Sequence, residues 1–493
     1  MANHRRASTR HAARRPVAAP PGESYWSVDA GAWSSWRPGL PAHLGDLLAP
    51  PIVVGVARAA DRPAGVAAGE HPVPGSGDRG PSFHLVDPVA STHMTVVHPI
   101  ARAWITTGGT GAQNYDEFAD DAEITAIIEA NPHSALGIEM PHRAPESLGR
   151  SFLDALPDAV ARLAEAKADG SYTPAEQVVV LYRISAAGEE PAYGIFAMVD
   201  TDQISTSRDE PGLVIRNEDV FIAKVRERVA LAETLGHLLS PVLLLQTGTG
   251  EELHARLAAA TEAAGPPAAT DTDQAGRTHA IWLVGPGPEQ DELTALAGGG
   301  ELVVADGNHR SLAAQTGGLP RFLAVVTTPR SVAIQPYNRL VSELTSSPEE
   351  LLDRLRAAGA EIRPIDGPVE VPAAGGTVHL RLAGRGYAVT LPHDEPAGQL
   401  ENLDHALVER LLLRDALGLD PGDKRITYVG GDYPASWLTG EVDAGRAELA
   451  VLIAPVTVDD FVAVNLAREK MPRKSTWFTP KARGGLVVAE LSR

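Results

Sequence analysis

Residues 177–200, QVVVLYRISAAGEEPAYGIFAMVD, constrain the fold more than any other stretch. Two apolar runs flank a polar turn that contains Gly188, a pattern that pairs as an antiparallel hairpin. Residues 377–391, TVHLRLAGRGYAVTL, repeat it. Helical segments lie between and around them: DAVARLAEAK at 158–167, EELHARLAAATEAA at 251–264 and SPEELLDRLRAA at 347–358. Hairpins mixed with helices, without a strict strand–helix–strand rhythm, predict an α+β fold of mixed sheets and packed helices rather than a doubly wound parallel sheet. Residues 134–140, SALGIEM, read as a further strand, with His142 just past its end.

The length of 493 residues allows several domains. Composition breaks suggest a disordered basic tail at 1–25 and an N-terminal extension and linker at 26–94. An N-terminal α/β region is expected at 95–200, a central core at 201–345 and a C-terminal α/β region at 346–493. The formal net charge of -20 argues against broad nucleic-acid binding. The absence of cysteine excludes thiolate metal sites and thiol nucleophiles. No apolar run is long enough for a membrane span, and the basic start has no apolar segment behind it. The expected location is the cytoplasm. Oligomeric state is not legible.

Four stretches could carry chemistry, one of them GIEMPHRAPE at 137–146, where His142 at the strand end could touch a ligand or be a half-buried loop histidine; the other three follow. The first is VVADGNHRSLAA at 303–314, which reads as strand, tight turn and helix. Gly307 permits a sharp turn and close approach of a ligand. A helix starting near Asn308 would offer its first N–H groups to an anion. His309 and Arg310 add donors, and Asp306 could hold a metal ion or a hydroxyl. An Asp-Gly turn with charged surface residues accounts for the same letters. The second stretch is RNEDVFIAKVRERVAL at 216–231. It is expected to open a helix running from 218 to 239, with Glu218 and Asp219 at its start and Lys224 and Arg228 on one face. A plain surface helix is the alternative. The third, REKMPRKSTWFTPKARGG at 468–485, crowds Lys470, Arg473, Lys474 and Lys481 around hydroxyls and aromatics. Such a loop suits a nucleotide, a phosphate, RNA or none of these. The chain lacks the Walker pattern, a correctly spaced dinucleotide fingerprint, the H-E-x-x-H zinc motif and the G-x-S-x-G elbow.

Taken together, NYDEFADDAEITAIIEANPHSALGIEMPH, IRNEDV…RERVAL…GHLLSPV, VVADGNHRSLAA, PYNRLV and MPRKSTWFTPK resemble the bacterial and archaeal family known as domain of unknown function 1015. The likeness runs from about residue 95 to the C-terminus. Asn308 and Asn217 depart from it, since many relatives carry histidine at both places. The DG-x-HR turn also resembles the nucleotide loop of the ParB and sulfiredoxin superfamily, some members of which phosphorylate free L-serine. That resemblance implies a ParB/sulfiredoxin-like nucleotide-binding core and ATP or ADP with Mg²⁺ as cofactors. Gly307, Asn308, His309 and Arg310 would then lie at the phosphates, with His309 also in the catalytic set. Asp306 would place Mg²⁺ or the acceptor. Glu218 would serve as the catalytic acid or base, and Arg228, Arg473 and Lys474 as the clamp. The implied function is a small-molecule kinase, with L-serine as the candidate substrate. The alternative is a nucleotide-binding regulatory or partition-like protein without metabolic turnover.

Overall fold

The computed structural model describes residues 95–491, apart from 111–112, 116, 119–120, 206–211 and 394–396. The expected tail and extension at 1–94 lie outside these residues. All described residues belong to the unit His84–Arg493.

The hairpin of 177–200 forms as its pattern requires. Following β1 (Ile100–Thr106), strands β2 (Tyr172–Ser185) and β3 (Ala192–Asp200) pair antiparallel, with Tyr182 opposite Gly194. Next come helix α1 (Ile222–Leu235), β4 (Val242–Gln246), β5 (Leu302–Asp306), helix α2 (Asn308–Thr316) and β6 (Arg321–Thr327). Strand β4 pairs parallel with β6 and antiparallel with β5, and β6 pairs antiparallel with β3. This mixed sheet is the α+β architecture that the hairpins predict. Residues 302–305 are buried on both faces of the sheet: Val303 and Ala305 join one core, Leu302 and Val304 the other. That explains the unbroken apolar run before Asp306.

A second sheet of six strands takes its strands from 338–452 and includes β8 (Asn338–Val341), which follows the short β7 (Ala333–Gln335). Strand β7 pairs antiparallel with β9 (Trp477–Thr479), and this ribbon pins the basic loop of 468–485. The last strand, β10 (Val487–Glu490), returns to the first sheet beside β1.

Two local expectations need correction. Leu136–Glu139 is a short helix, not a strand, and His142 lies in the 3-10 turn Pro141–Arg143 that follows. A brief apolar run does not distinguish the two states, and Ser134 Oγ accepts the Leu136 N–H at 3.3 Å, which favours the turn. Helix α1 starts at Ile222, so Glu218 and Asp219 precede it, and His237–Leu238 beyond it is a strand. Gly236, in the left-handed conformation, ends α1. Asp404–Leu407 is α-helical and leads into a π-helix from Val408 to Ala416.

Candidate functional site: a lysine-lined cleft at the start of α2

Strand β5 delivers Asp306 to the sheet edge, and the chain must turn at once into α2. Gly307 makes the turn with φ of 95°, and no side chain caps the helix. A Cβ at Gly307 would lie 2.8 Å from Arg310 Nε and 3.2 Å from Val242 Cα. Gly307→Ala is therefore expected to cost about 1–2 kcal/mol in backbone strain alone, and to disturb the Arg310 side chain. Urea unfolding measures this loss.

Asp306, Gly307, Asn308 and His309 line a cleft of about 510 Å³, including its open mouth. Glu218, Lys474 and Lys481 line it too, with Tyr115, Tyr337 and Trp477 as aromatic walls. Three segments distant in sequence thus meet at one place. The 217–219 segment and the basic loop are stitched together. Met471 N–H donates to Asn217 O at 2.7 Å, and Lys474 N–H donates to Glu218 Oε2 at 3.1 Å. Lys470 pairs with Asp219. Lys474 holds φ of 56°, uncommon for a residue with a side chain, and its ammonium lies 5.5 Å from the Tyr337 ring centre.

Lys481 is nearly buried. Its Nζ stands 3.7 Å from Asp306 Oδ1 and 4.3 Å from the centre of the Trp477 ring. The other Asp306 oxygen accepts from Arg310 Nη2 at 2.8 Å. Asp306 therefore faces two cations. Trp477 fits its place because Gly430 has no side chain: a Cβ there would lie 2.4 Å from the indole.

His309 stacks on Phe221 with ring centres 6.2 Å apart, and its Nε2 accepts the Phe221 N–H at 3.1 Å. An accepting Nε2 leaves the ring proton of the neutral imidazole on Nδ1. Arg473 covers the Phe221 ring at 4.4 Å and does not line the cleft. Arg228 and Arg310 lie outside the cleft lining as well, in a second cavity. Asn217 and Asn308, the two departures from the family pattern, are buried against one another, with Asn308 Nδ2 donating to Asn217 Oδ1.

Behind Tyr337 sits a buried group that the sequence did not single out. Arg339 is fully buried, donates to Tyr337 O at 2.8 Å and to Arg473 O at 3.4 Å, and stands 3.7 Å from Glu409 Oε1. Its guanidinium covers Tyr428 at 4.4 Å. Burial pushes the Glu409 carboxyl up, against the pull of Arg339. His405 is also buried here, and burial together with the Arg339 charge lowers its pKa to about 3. A histidine lowered from 6.5 stays neutral in the folded chain while the unfolded chain takes up a proton. Its contribution to stability is full above pH 6.5 and is lost as pH falls from 6.5 to about 3. His405→Phe should flatten the acid limb of stability in that window, measured by urea unfolding at stepped pH.

Lys474, Lys481 and the start of α2 give an anion a place in the cleft, although Glu218 and Asp306 balance the lysine charges there. Two ammonium groups, the first turn of a helix and flat aromatic walls suit phosphates with an attached ring. The fit to Mg²⁺ is poorer, since each Asp306 oxygen already faces a cation. Among the described residues no group of three or more His, Asp or Glu side chains is placed to hold a metal.

Fold and cleft together define an α+β protein with a lysine-lined, aromatic-walled cleft at a strand–helix turn. The chain belongs to the family described as protein of unknown function (DUF1015), whose model matches residues 110–406. No curated protein matches it. Among solved structures it is similar to a conserved hypothetical protein from Pyrococcus furiosus, at 14% identity and a TM-score of 0.33, over 59% of this chain and 93% of that one. It is also similar to a free serine kinase in complex with AMP, at 14% identity and a TM-score of 0.34, over 60% and 91%. A third is SbnI with C-terminal truncation from Staphylococcus aureus, at 13% identity and a TM-score of 0.32, over 58% and 84%. Among the described residues no helix is long and apolar enough to cross a membrane.

Proposed function

We propose that the cleft at the start of α2 binds a nucleotide by its phosphates, and that the chain is a nucleotide-binding protein. One observation carries this reading: Lys474, Lys481 and the first turn of α2 converge on a single cleft beside Tyr337 and Trp477. Phosphates would lie over the turn at Gly307 and the ammonium groups, and the base against an aromatic wall. Asp306 then orients Arg310 and Lys481 rather than touching the nucleotide.

A second reading, transfer of a phosphoryl group to a small hydroxylated acceptor such as L-serine, is favoured by one feature. The Glu218 carboxylate lines the same cleft. In that reaction the acceptor oxygen bonds to the terminal phosphorus, the bond to the bridging oxygen breaks, and the hydroxyl proton passes to Glu218. Mg²⁺ would arrive with the phosphates and neutralise their charge.

Calorimetry with ATP, ADP and adenosine tests the first reading. ATP and ADP should bind and adenosine should bind far more weakly; equal affinity for all three would overturn it. A phosphoserine assay with ATP or ADP, Mg²⁺ and L-serine tests the second. Turnover lost in Glu218→Gln with nucleotide binding retained supports it, and binding without turnover across a panel of hydroxylated acceptors contradicts it.

A further inference from the structure

Arg228 was expected at the phosphates, but it lies elsewhere. It lines a cavity of about 520 Å³, including its opening, between α1, α2, β4 and β6. Tyr115 lines both this cavity and the cleft, and so forms part of the wall between them.

The Arg228 guanidinium is 7% exposed and lies 4.3 Å from the Tyr115 ring centre and 4.9 Å from that of Phe152. Its Nη2 donates to the Glu139 carbonyl at 3.2 Å and lies 3.7 Å from Met140 Sδ. Its Nη1 is buried with no hydrogen-bond partner. Among the described residues no carboxylate pairs with it. Glu139, which also lines the cavity, offers Arg228 its backbone carbonyl and not its side chain. Burial of a guanidinium without a counter-ion is costly, so this arrangement calls for an anion.

The surroundings narrow its class. Arg310, the other arginine of the cavity, is already matched by Asp306, and Glu139 adds a carboxylate to the lining, so at most one positive charge is left to balance. One charge suits a monoanion better than a phosphate dianion. A guanidinium fork matches the two oxygens of a carboxylate. Ser240 Oγ, buried and unpartnered, supplies a further polar atom in the lining. Leu231, Leu239, Phe322 and Leu323 make the remainder apolar. We propose that this cavity is a binding site for a small carboxylate with an apolar body, anchored on Arg228. The proposal does not depend on the nucleotide reading of the cleft.

Titration calorimetry on the full chain tests it with acetate, hexanoate, 1-hexanol and inorganic phosphate. Hexanoate should bind once per chain and more tightly than acetate, because the apolar end adds buried surface. Hexanol and phosphate should bind at least tenfold more weakly than hexanoate. Arg228→Met, which keeps the length of the side chain without its charge, should weaken hexanoate at least tenfold. Leu323→Trp, which fills the apolar end and leaves Arg228 in place, should weaken hexanoate more than acetate and serves if the methionine variant does not fold. The proposal is overturned if hexanoate fails to bind, if hexanol or phosphate binds equally well, or if hexanoate affinity is indifferent to the cavity variants.

Discussion

Lys481→Met is expected to weaken ADP binding roughly ten- to a hundredfold and to leave the fold intact. Lys481 is nearly buried, and its ammonium lies between Asp306 and the Trp477 ring at the floor of the cleft. A hydrogen bond to a charged group contributes about 1.5–3 kcal/mol, and each 1.4 kcal/mol is about tenfold in Kd. Methionine keeps the contact with Trp477 and removes only the charge. Asp306 retains Arg310, so the carboxylate is not left without a cation. Raising the salt should weaken binding to wild type more than to the variant, because the variant has lost one of the charges that salt screens. Calorimetry at two salt concentrations reads both effects.

Arg339→Met should destabilise the chain by about 3–5 kcal/mol, the usual consequence of removing one partner of a buried ion pair. The Glu409 carboxyl, already pushed up by burial, loses the cation that opposes the shift. It then takes up a proton at higher pH than in wild type, so the penalty should be smaller in acid than at pH 7. Double replacement of Arg339 and Glu409 by methionine and leucine should recover much of the loss, since a buried pair exchanged for apolar side chains is often neutral. Arg339 also holds the Arg473 carbonyl, so the single variant should loosen the basic loop and weaken nucleotide binding. Glu409 stands in the π-helix Val408–Ala416, an element that often marks functional regions. Denaturant unfolding at pH 5 and pH 7 separates the ionic effect from simple loss of packing.

The parts of the site legible in the sequence are those fixed by local rules. VVADGNHR announced its strand, its glycine turn and its helix, because an apolar run, a positive-φ residue and a helix start occur within a few positions. The α+β class followed from hairpin turn chemistry in the same way. What failed was the direction of long side chains. Arg310 turns back to Asp306 one helical turn away, as an i,i+4 pair can, and Arg228 reaches into a different cavity. Glu218 reached the cleft by another route than expected: it stands in the loop before α1, placed by its bond to the Lys474 N–H. That contact spans 256 positions, and no periodicity reports it. Arg339 stood out only as part of the PYNRLV block of the family pattern, since an arginine in a strand otherwise reads as a surface residue unless burial is known. Asn217 and Asn308 each stood out only as departures from a family pattern; their contact appears only in the fold.

Amide hydrogen exchange with and without saturating ADP tests the central claim most directly. If the phosphates sit at the start of α2, protection should rise at 306–311, at 217–219 and at 470–481, and these segments should respond together. Unchanged exchange at 306–311 in the ADP-saturated chain, or protection confined to other segments, would contradict the assignment of the cleft.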